Sequence, residues 1–173
     1  ETYALQDDGS YLKSGLFTPG FPNTQAGYDA YMASYVIASG QLVINEICPA
    51  PRSGLRDEDG DLSDWLELKN NTDQSIDLSQ LALSDNEQRP MKWVFSEGAR
   101  IAPRGYYLVF CSGKDRENPG GYPHTNFSLA AEGETVVLST RLGQLLDRVR
   151  YENIPADHSF GRTETTGEWT IFT

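Results

Sequence analysis

Apolar and polar residues alternate with a period of two over most of the chain from Gln41 onward. Segments such as LVINEIC, WLELKN and LLDRVRYE place apolar side chains on one face and polar side chains on the other. This pattern is typical of half-buried β-strands. Further strand-like runs are SIDLSQLALSD, MKWVF, YYLVFC, NFSLA, ETVVLST, SFGR and EWTIF, and breaks such as NNTDQS, SEGARIAPRG, SGKDRENPGG and RLGQ separate them. Short strands with turn signals every 8–12 residues or so predict an all-β sandwich of antiparallel strands.

The alternation also predicts which side chains fill the space between the two sheets. We expect the inner positions to be Ile44, Ile47, Leu66, Leu68, Val109, Val137 and Val149. The outer positions are then Lys69, Arg141, Arg148 and Arg150. The three tryptophans, Trp65, Trp93 and Trp169, are predicted to pack in the core. In TRLGQLL we expect a hairpin turn with Gly143 at positive φ.

The residues before Gln41 follow a different pattern. In TQAGYDAYMASYVIASG, apolar side chains recur at i, i+3, i+4, i+7 and i+8, namely at Tyr28, Tyr31, Met32, Tyr35 and Val36. This stripe predicts one short amphipathic helix within residues 24–40, capped by Asn23 or Thr24 and ended by Gly40. Residues 1–23 carry turn signals, such as DDGS and TPGFPN, but no sustained period.

Composition and charge exclude several kinds of partner. The chain has 173 residues, a formal net charge of -11 and a pI of about 4.5. Such a charge disfavours nucleic acid and anionic lipid surfaces, because both would repel the protein. No apolar run approaches the roughly 20 residues of a membrane helix, so we expect no membrane insertion.

The two cysteines, Cys48 and Cys111, each follow a strand-like run. They could form one disulfide if the two strands are neighbours, or remain two buried thiols. The spacing leaves both alternatives open.

An acidic loop, RDEDGDLSDWLE, is the best candidate for a binding site. Asp57, Asp59 and Asp61 alternate around Gly60, and alternating carboxylates at a glycine turn are one way in which proteins collect oxygen ligands for Ca²⁺. The spacing of the glycine departs from the helix–loop–helix calcium pattern, and position twelve of that pattern holds Leu68. The alternative is a solvated acidic turn whose carboxylates bind nearby amides. We therefore predict Asp57, Asp59 and Asp61 as candidate calcium ligands and no other cofactor.

No set of residues predicts catalysis. Asp64 and Glu67 flank Trp65, but two carboxylates act as acid and base only across a cleft with a defined separation. His124 and His158 lie in predicted loops, where bonding to local backbone is expected. Pairs of Cys48 or Cys111 with His124 would need a thiol that is not buried. We predict no catalytic residues and no enzyme.

The order of several segments resembles a known family. LVINEI, SDWLELKNNTDQSIDLSQLALSD, KWVF and APRGYYLVF, followed by HTNFSLAAEGETVVLS and ADHSFGR, resemble the lamin tail domain, and especially its bacterial, secreted version. The resemblance covers roughly Gln41 to Thr173. It implies an immunoglobulin-like antiparallel β-sandwich, preceded here by a short helix in a linker.

The resemblance also implies a tandem arrangement. Modules of this family commonly close with a strand followed by T-P-G-x-P-N, and SYLKSGLFTPGFPN resembles the close of a preceding copy. Pro19 and Pro22 each lack an amide donor, so a strand cannot continue through them. We therefore expect residues 1–23 to be the C-terminal remnant of a preceding repeat, 24–40 a helical linker, and 41–173 the lamin-tail-like domain.

The function implied is that of a non-catalytic structural or interaction module in a larger extracellular or cell-surface protein. Its expected partners are neighbouring domains of the same polypeptide, another protein or a glycan, and not nucleic acid. The alternative is a carbohydrate- or other ligand-binding sandwich, stabilised by Ca²⁺, that uses Tyr106, Tyr107 or Tyr122. The sequence leaves the oligomeric state open.

Overall fold

In the described residues, nearly all of the regular secondary structure consists of antiparallel strands. The computed structural model describes residues 2–5, 9–14, 18, 20–34, 36–117 and 121–173. In these residues one helix, α1, spans Gln25–Ser34. The strands are β1 Thr2–Leu5, β2 Tyr11–Ser14, β3 Leu42–Cys48, β4 Trp65–Asn70, β5 Ile76–Asp77, β6 Leu81–Ser84, β7 Trp93–Val94, β8 Arg100–Ile101, β9 Tyr106–Phe110, β10 Gly133–Thr140, β11 Leu145–Glu152, β12 Ser159–Arg162 and β13 Trp169–Phe172.

Two sheets form the sandwich. One has five strands in the order β13-β12-β3-β4-β9, and the other has four in the order β11-β10-β6-β7. The short strands β5 and β8 pair separately, as do β1 and β2. The contacts divide the chain into two compact units, residues 1–37 and residues 38–173, and the sandwich belongs to the second. The prediction of an all-β antiparallel sandwich with one short N-terminal helix is confirmed.

The core contains the side chains that the alternation predicted. Ile44, Ile47, Leu66, Leu68 and Val109 are 0% exposed, and Val137 and Val149 are 2% and 3% exposed. Arg141, Arg148 and Arg150 lie at the surface, while Lys69 is half-buried. Burial of branched aliphatic side chains on the inner faces of both sheets is the main source of the stability of this fold.

Strand β3 has a bulge between Ile44 and Glu46, where its register with β4 shifts. Strand β12 pairs with β3 only at Ile47 and Glu46, through Phe160 and Gly161. The backbone of Ile44 is instead bound by side chains: its amide donates to Asp147 Oδ2 at 2.9 Å, and its carbonyl accepts from Arg162 Nε at 3.0 Å. Arg162 and Asp147 also form an ion pair at 3.1 Å, which joins β12 of one sheet to β11 of the other.

Helix α1 begins as predicted and ends earlier. Thr24 caps it, since the amide of Gly27 donates to Thr24 Oγ1 at 3.0 Å. The helix ends at Ser34, and Val36, which the predicted stripe included, lies beyond it and is 62% exposed. Tyr35 lies outside the described residues. A Cβ at Gly27 would lie 1.8 Å from the carbonyl oxygen of Pro22, so this position of the helix requires glycine.

Several strand predictions need correction. NFSLA forms no strand and contributes one isolated bridge, between Ser128 and Ser112. The segment SIDLSQLALSD divides into β5 and β6, because Leu81 N donates to Leu78 O in a turn between them. Strand β8 lies within SEGARIAPRG, which was predicted to be a break, and β1 and β2 lie in a region with no predicted period. Gly143 has the predicted positive φ, 80°.

The cysteines are free thiols, and both are buried. The register explains why they do not pair. Cys48 on β3 is opposite Trp65 on β4, which is opposite Phe110 on β9, so β4 lies between the two cysteines. Two strand spacings of about 4.8 Å exceed the reach of a disulfide. Burial raises the pKa of the Cys48 thiol to about 11.

In the described part of the chain, no helix has the length and apolar character needed to cross a lipid bilayer.

Candidate functional site

The acidic loop between β3 and β4 folds around the carboxylate of Asp57. The amide of Gly60 donates to Asp57 O at 3.0 Å, and the amide of Asp57 donates to Asp61 O at 2.9 Å. Gly60 adopts a φ of 83°, the left-handed region in which glycine has no steric penalty. This tight turn brings the side chains of residues 57, 59 and 61 to one side of the loop.

Asp57 itself is fully enclosed, with a side chain 0% exposed. Its Oδ1 accepts hydrogen bonds from the amides of Asp59 and Asp61, both at 3.0 Å. Its Oδ2 accepts from Ser63 Oγ at 2.8 Å and from Lys114 Nζ at 2.6 Å. Burial opposes the ionisation of this carboxyl, but the hydrogen bonds from Lys114, Ser63 and the two amides outweigh it and hold its pKa well below its ordinary value.

Lys114 lies at the centre of the three predicted ligands. Its Nζ is 2.6 Å from Asp57 Oδ2, 2.7 Å from Asp59 Oδ2 and 2.9 Å from Asp61 Oδ2. Desolvation of the ammonium opposes its charge, yet the three carboxylates raise the pKa of Lys114 above its ordinary value. We call these four residues the carboxylate cage.

Arg116 is a second cation, and it contacts the carboxylate cage through Asp59. Arg116 Nη2 lies 2.6 Å from Glu58 Oε1 and 2.7 Å from Asp59 Oδ2. Lys114 and Arg116 both belong to the segment that follows β9, so the network attaches this segment to the acidic loop. Hydrogen bonds from Lys114 and Arg116 lower the pKa of Asp59.

The network continues to a buried histidine that the sequence predicted to bond only local backbone. His124 is 0% exposed; its Nδ1 lies 2.8 Å from Ser112 Oγ and its Nε2 lies 2.8 Å from Glu58 Oε1. The second contact has the geometry of an ion pair and not of an aligned hydrogen bond, since His124 Nε2 has no hydrogen-bond partner in the described residues. His158 does bond local backbone, through Nδ1 and the carbonyl of Ala156 at 2.9 Å.

Serine, histidine and glutamate in a line are the elements of a hydrolytic triad, but this line is built differently. The imidazole has no exposed surface, so a substrate cannot reach it while the loops are closed. Ser112 Oγ also accepts the amide of Lys114 at 3.3 Å. The three side chains connect the acidic loop to the segment that follows β9.

The three carboxylates of the cage lie close enough together to share one cation. One oxygen of each of Asp57, Asp59 and Asp61 lies within 4.8 Å of the others, as a shared metal ligand set requires. Ca²⁺ binds about six to eight oxygens at roughly 2.3–2.6 Å, and three carboxylates would supply part of that shell. The Lys114 ammonium occupies the same position, so a metal ion would have to displace it.

The other carboxylates that the sequence singled out, Asp64 and Glu67, do not belong to the cage. Asp64 Oδ2 accepts the amide of Leu129 at 2.9 Å, and burial raises the pKa of this carboxyl to about 6. Glu67 lies on the other side of Trp65 on β4, and its Oε1 accepts from Asn45 Nδ2 at 2.8 Å.

The aromatic side chains do not form one platform. Tyr106 and Tyr107 are adjacent on β9 and therefore point to opposite faces of the sheet. Tyr106 and Tyr122 are 47% and 49% exposed, and the ring of Tyr122 meets Phe110 edge-on at 6.0 Å. Of the tryptophans, Trp93 is 6% exposed, which agrees with the predicted core position. Trp65 and Trp169 are half-buried.

The fold and the site together define an immunoglobulin-like β-sandwich module whose loops are closed by ion pairs. The lamin tail domain family matches residues 36–153, more than half of the chain, and the chain belongs to this family. This result confirms the family predicted from the order of the strand motifs. The family is one of non-enzymatic interaction domains. A search of curated proteins found no match to the chain.

Proposed function

We propose that this chain is a non-catalytic interaction module that positions neighbouring domains of a larger secreted or cell-surface protein. The observation that carries the proposal is a likeness between two hairpins at opposite ends of the chain. Each has two four-residue strands paired along their full length: Thr2 pairs with Ser14 in β1–β2, and Ser159 pairs with Phe172 in β12–β13.

The two hairpins also share aromatic residues at two of their eight corresponding strand positions. The second residue of the first strand is aromatic in both, Tyr3 and Phe160. The first residue of the second strand is also aromatic, Tyr11 and Trp169. A two-stranded hairpin is marginally stable alone in water. These features support residues 1–23 as the closing hairpin of a preceding copy, followed by the linker helix and the present domain.

Hydrogen exchange on the full chain tests this arrangement. If β1–β2 belongs to another copy, its amides will exchange at least about 100-fold faster than those of β3 and β4, because local opening of an unsupported hairpin requires little free energy. Adding a copy of residues 38–158 ahead of the chain supplies a β3 edge, and we expect it to slow exchange in β1–β2. Equal protection of β1 and β3 in the dilute single chain would contradict the tandem reading.

Calcium binding is a second candidate function, favoured by the convergence of Asp57, Asp59 and Asp61. Since Ca²⁺ would compete with the Lys114 ammonium, we expect binding to be weak in the parent chain and stronger in Lys114→Met. Thermal melting with millimolar CaCl₂ and, as a control, MgCl₂ would measure this. A rise in Tm in the parent supports a calcium function; no rise in either protein removes calcium from consideration.

A carbohydrate-binding role remains the alternative from another class. Its candidates are the exposed rings of Tyr106 and Tyr122 and the half-buried ring of Tyr107. Glycan-array binding that is lost in Tyr106→Ala and Tyr122→Ala, but kept in Tyr3→Ala, would support it. The extracellular location belongs to the proposal as a whole, and fractionation of the source cells tests it directly.

A further inference from the structure

The two sheets of the sandwich end in four edge strands, and these strands differ in how well their edges are protected. The sheet orders place β13 and β9 at the ends of one sheet and β11 and β7 at the ends of the other. An unprotected edge presents unpaired amides and carbonyls that can bind a further strand, and proteins block most edges with charges, short strands or covering segments.

Three of the four edges are blocked wholly or in part. Exposed Arg148 and Arg150 lie along β11. On β9, the amide of Phe110 donates to Pro123 O at 2.9 Å and its carbonyl accepts from Thr125 N at 2.8 Å, so another segment of the chain covers one end of this edge. Strand β7 has only two residues.

Strand β13 has none of these protections. Its four residues, Trp169–Phe172, include no charged residue and no proline. Thr170 is exposed, and Ile171 and Phe172 are 45% and 41% exposed. Among the described residues, its only strand partner is β12. The edge of β13 is therefore open along its full length and is the one best suited to bind another strand.

The hydrogen bonds of the β12–β13 hairpin show which backbone groups of β13 are free. Thr163 N donates to Glu168 O at 2.8 Å, which makes these two residues a hydrogen-bonded pair next to the turn. Hydrogen-bonded and non-hydrogen-bonded pairs alternate along an antiparallel ladder, so Thr170 also uses its backbone to bind β12. The amides and carbonyls of Trp169 and Ile171 therefore point outward, away from β12.

We propose that β13 pairs with the β13 of a second copy of this chain, antiparallel about a two-fold axis that passes between the two Thr170 residues. The outward backbone groups of Trp169 then bond those of Ile171 in the second copy, and the reverse, so the contact has two hydrogen-bonded pairs. The five-stranded sheets of the two copies become one continuous sheet. This contact goes beyond the proposed function, because it holds whether or not the two copies share a polypeptide.

The side chains explain why a second copy is the expected occupant. In this antiparallel register, Trp169 lies opposite Ile171 on one face and Thr170 lies opposite Thr170 on the other. Aromatic with β-branched residues, and threonine with threonine, are favourable cross-strand pairs. The strand has no charged residue, so the pairing brings no like charges face to face, although the net charge of -11 repels two copies over longer distances.

The expected strength of the contact follows from its small size. Two paired strands of four residues bury less than the roughly 1,200 Å² at the lower limit of stable interfaces, so we expect a dissociation constant of about 0.1–1 mM. In a tandem array, a flexible connection would raise the local concentration of β13 to about millimolar, at which such a contact is populated. Because each chain has one β13, the assembly stops at the dimer.

Sedimentation velocity of the full chain, from tens of micromolar to about 1 mM, measures this association across the expected range. We expect the weight-average mass to rise above 19.2 kDa toward that of a dimer. The rise should be larger at high ionic strength, because salt screens the repulsion between two acidic copies. The amides of Trp169 and Ile171 should gain protection from hydrogen exchange at the higher concentrations.

The variant Ile171→Lys places a charge within the contact, and Leu145→Lys is its matched control. Leu145 is 50% exposed on β11, so the two variants make the same change of charge at similarly exposed positions. We expect Ile171→Lys to weaken dimerisation about tenfold or more and Leu145→Lys less than about twofold. Thermal melting of each variant shows whether the sandwich remains folded.

A cross-link tests the register even where association is weak. In a non-hydrogen-bonded pair the Cα atoms of the two Thr170 residues would lie about 4.5 Å apart, a separation that a disulfide can span. Thr170→Cys should therefore form a covalent dimer with oxidised glutathione, whereas Thr165→Cys, exposed in the hairpin turn, should form little. Cys48 and Cys111 are buried and do not compete.

A mass of 19.2 kDa at every concentration would overturn the inference. Equal weakening by Ile171→Lys and Leu145→Lys would also overturn it, because the contact would then lie elsewhere. Cross-linking of Thr165→Cys as efficient as that of Thr170→Cys would rule out the register. None of these results affects the hydrogen-exchange test of the tandem arrangement, which uses the dilute single chain.

Discussion

At the scale of single residues, the side chain that organises the acidic loop is Asp57. Its two oxygens accept four hydrogen bonds, from two backbone amides, Ser63 and Lys114. A buried carboxylate with all its acceptors satisfied is stable only while every partner remains in place. The neighbouring Asp59 and Asp61 are more exposed and share only the Lys114 ammonium and backbone contacts with it.

We expect Asp57→Asn to destabilise the domain by about 2–4 kcal/mol, because an amide group presents a donor where the carboxylate accepts. Chemical denaturation monitored by tryptophan fluorescence would measure the free energy of unfolding. Asp73→Asn is the matched control: Asp73 forms an ion pair with Arg104 at the surface, and its loss should cost less than about 1 kcal/mol. Similar effects of both changes would show that Asp57 is not the centre of the loop.

The sequence predicted the convergence of Asp57, Asp59 and Asp61 but not the cation between them. Alternation around Gly60 is local, so a single turn determines it. Lys114 comes from a position 57 residues further along the chain than Asp57, and only the pairing of β4 with β9 brings the two loops together. The available signal was the presence of two basic residues, Lys114 and Arg116, in one predicted break next to an aromatic strand.

At the scale of elements, hydrophobic alternation predicted the long strands well and the short ones poorly. Strands β3, β4, β11 and β12 have the bounds that the pattern indicated. Strands β5 and β8 have two residues each, too few to show a period. The NFSLA segment alternates, yet Asn126 Nδ2 donates to Lys92 O and Thr125 Oγ1 donates to Phe127 O, so side-chain hydrogen bonds hold it as a loop.

Arg162 attaches the last hairpin to the sandwich in addition to the backbone pairing of β12 with β3. Its guanidinium donates to the carbonyl of Ile44, pairs with Asp147 and lies 4.7 Å from the ring of Trp169. Trp169 in turn stacks on Phe160 with ring centroids 4.9 Å apart. One side chain thus connects β3, β11, β12 and β13.

We expect Arg162→Ala to destabilise the domain by about 2–4 kcal/mol, because Asp147 would remain half-buried beside Ile44 without its cation. Hydrogen exchange should show faster opening of β12 and β13 and of the Ile44 amide. Arg150→Ala is the control, since Arg150 pairs with Glu152 in solvent; we expect a change below about 1 kcal/mol. An unchanged exchange rate in β13 would refute the role assigned to Arg162.

At the scale of the whole molecule, carboxyl groups whose pKa values are shifted in opposite directions determine how stability depends on pH. The pKa of Asp57 is lowered, so its contribution is present above the ordinary value of 3.8 and lost as the pH falls below it. The pKa of Asp64 is raised to about 6 by burial, with Glu134 adding to the effect. Since the folded state then holds this proton more tightly than the unfolded state, stability decreases as the pH rises from about 4 to about 6.

We therefore expect the melting temperature of the full chain to be highest near pH 4–5 and to fall on both sides. Asp64→Asn should reduce the decline between pH 4 and pH 6, because the amide oxygen can still accept the Leu129 amide without a charge. Glu67 and Glu134, whose pKa values burial also raises, should account for the decline that remains. Calorimetry across this range provides the measurement. A Tm that climbs steadily from pH 4 to pH 7 in the parent would contradict the assignment.

The pairing of β12 with β3 has a mechanical consequence under the proposed function, in which the chain connects other domains. Two registered residue pairs join these strands, whereas six join β3 to β4. Tension applied through β13 would act on the short pairing of β12 with β3 and separate these two strands before the rest of the five-stranded sheet. The contacts of Arg162 with Ile44 and Asp147 resist this separation. Their strength then determines the force at which β12 and β13 detach while the rest of the sandwich stays folded.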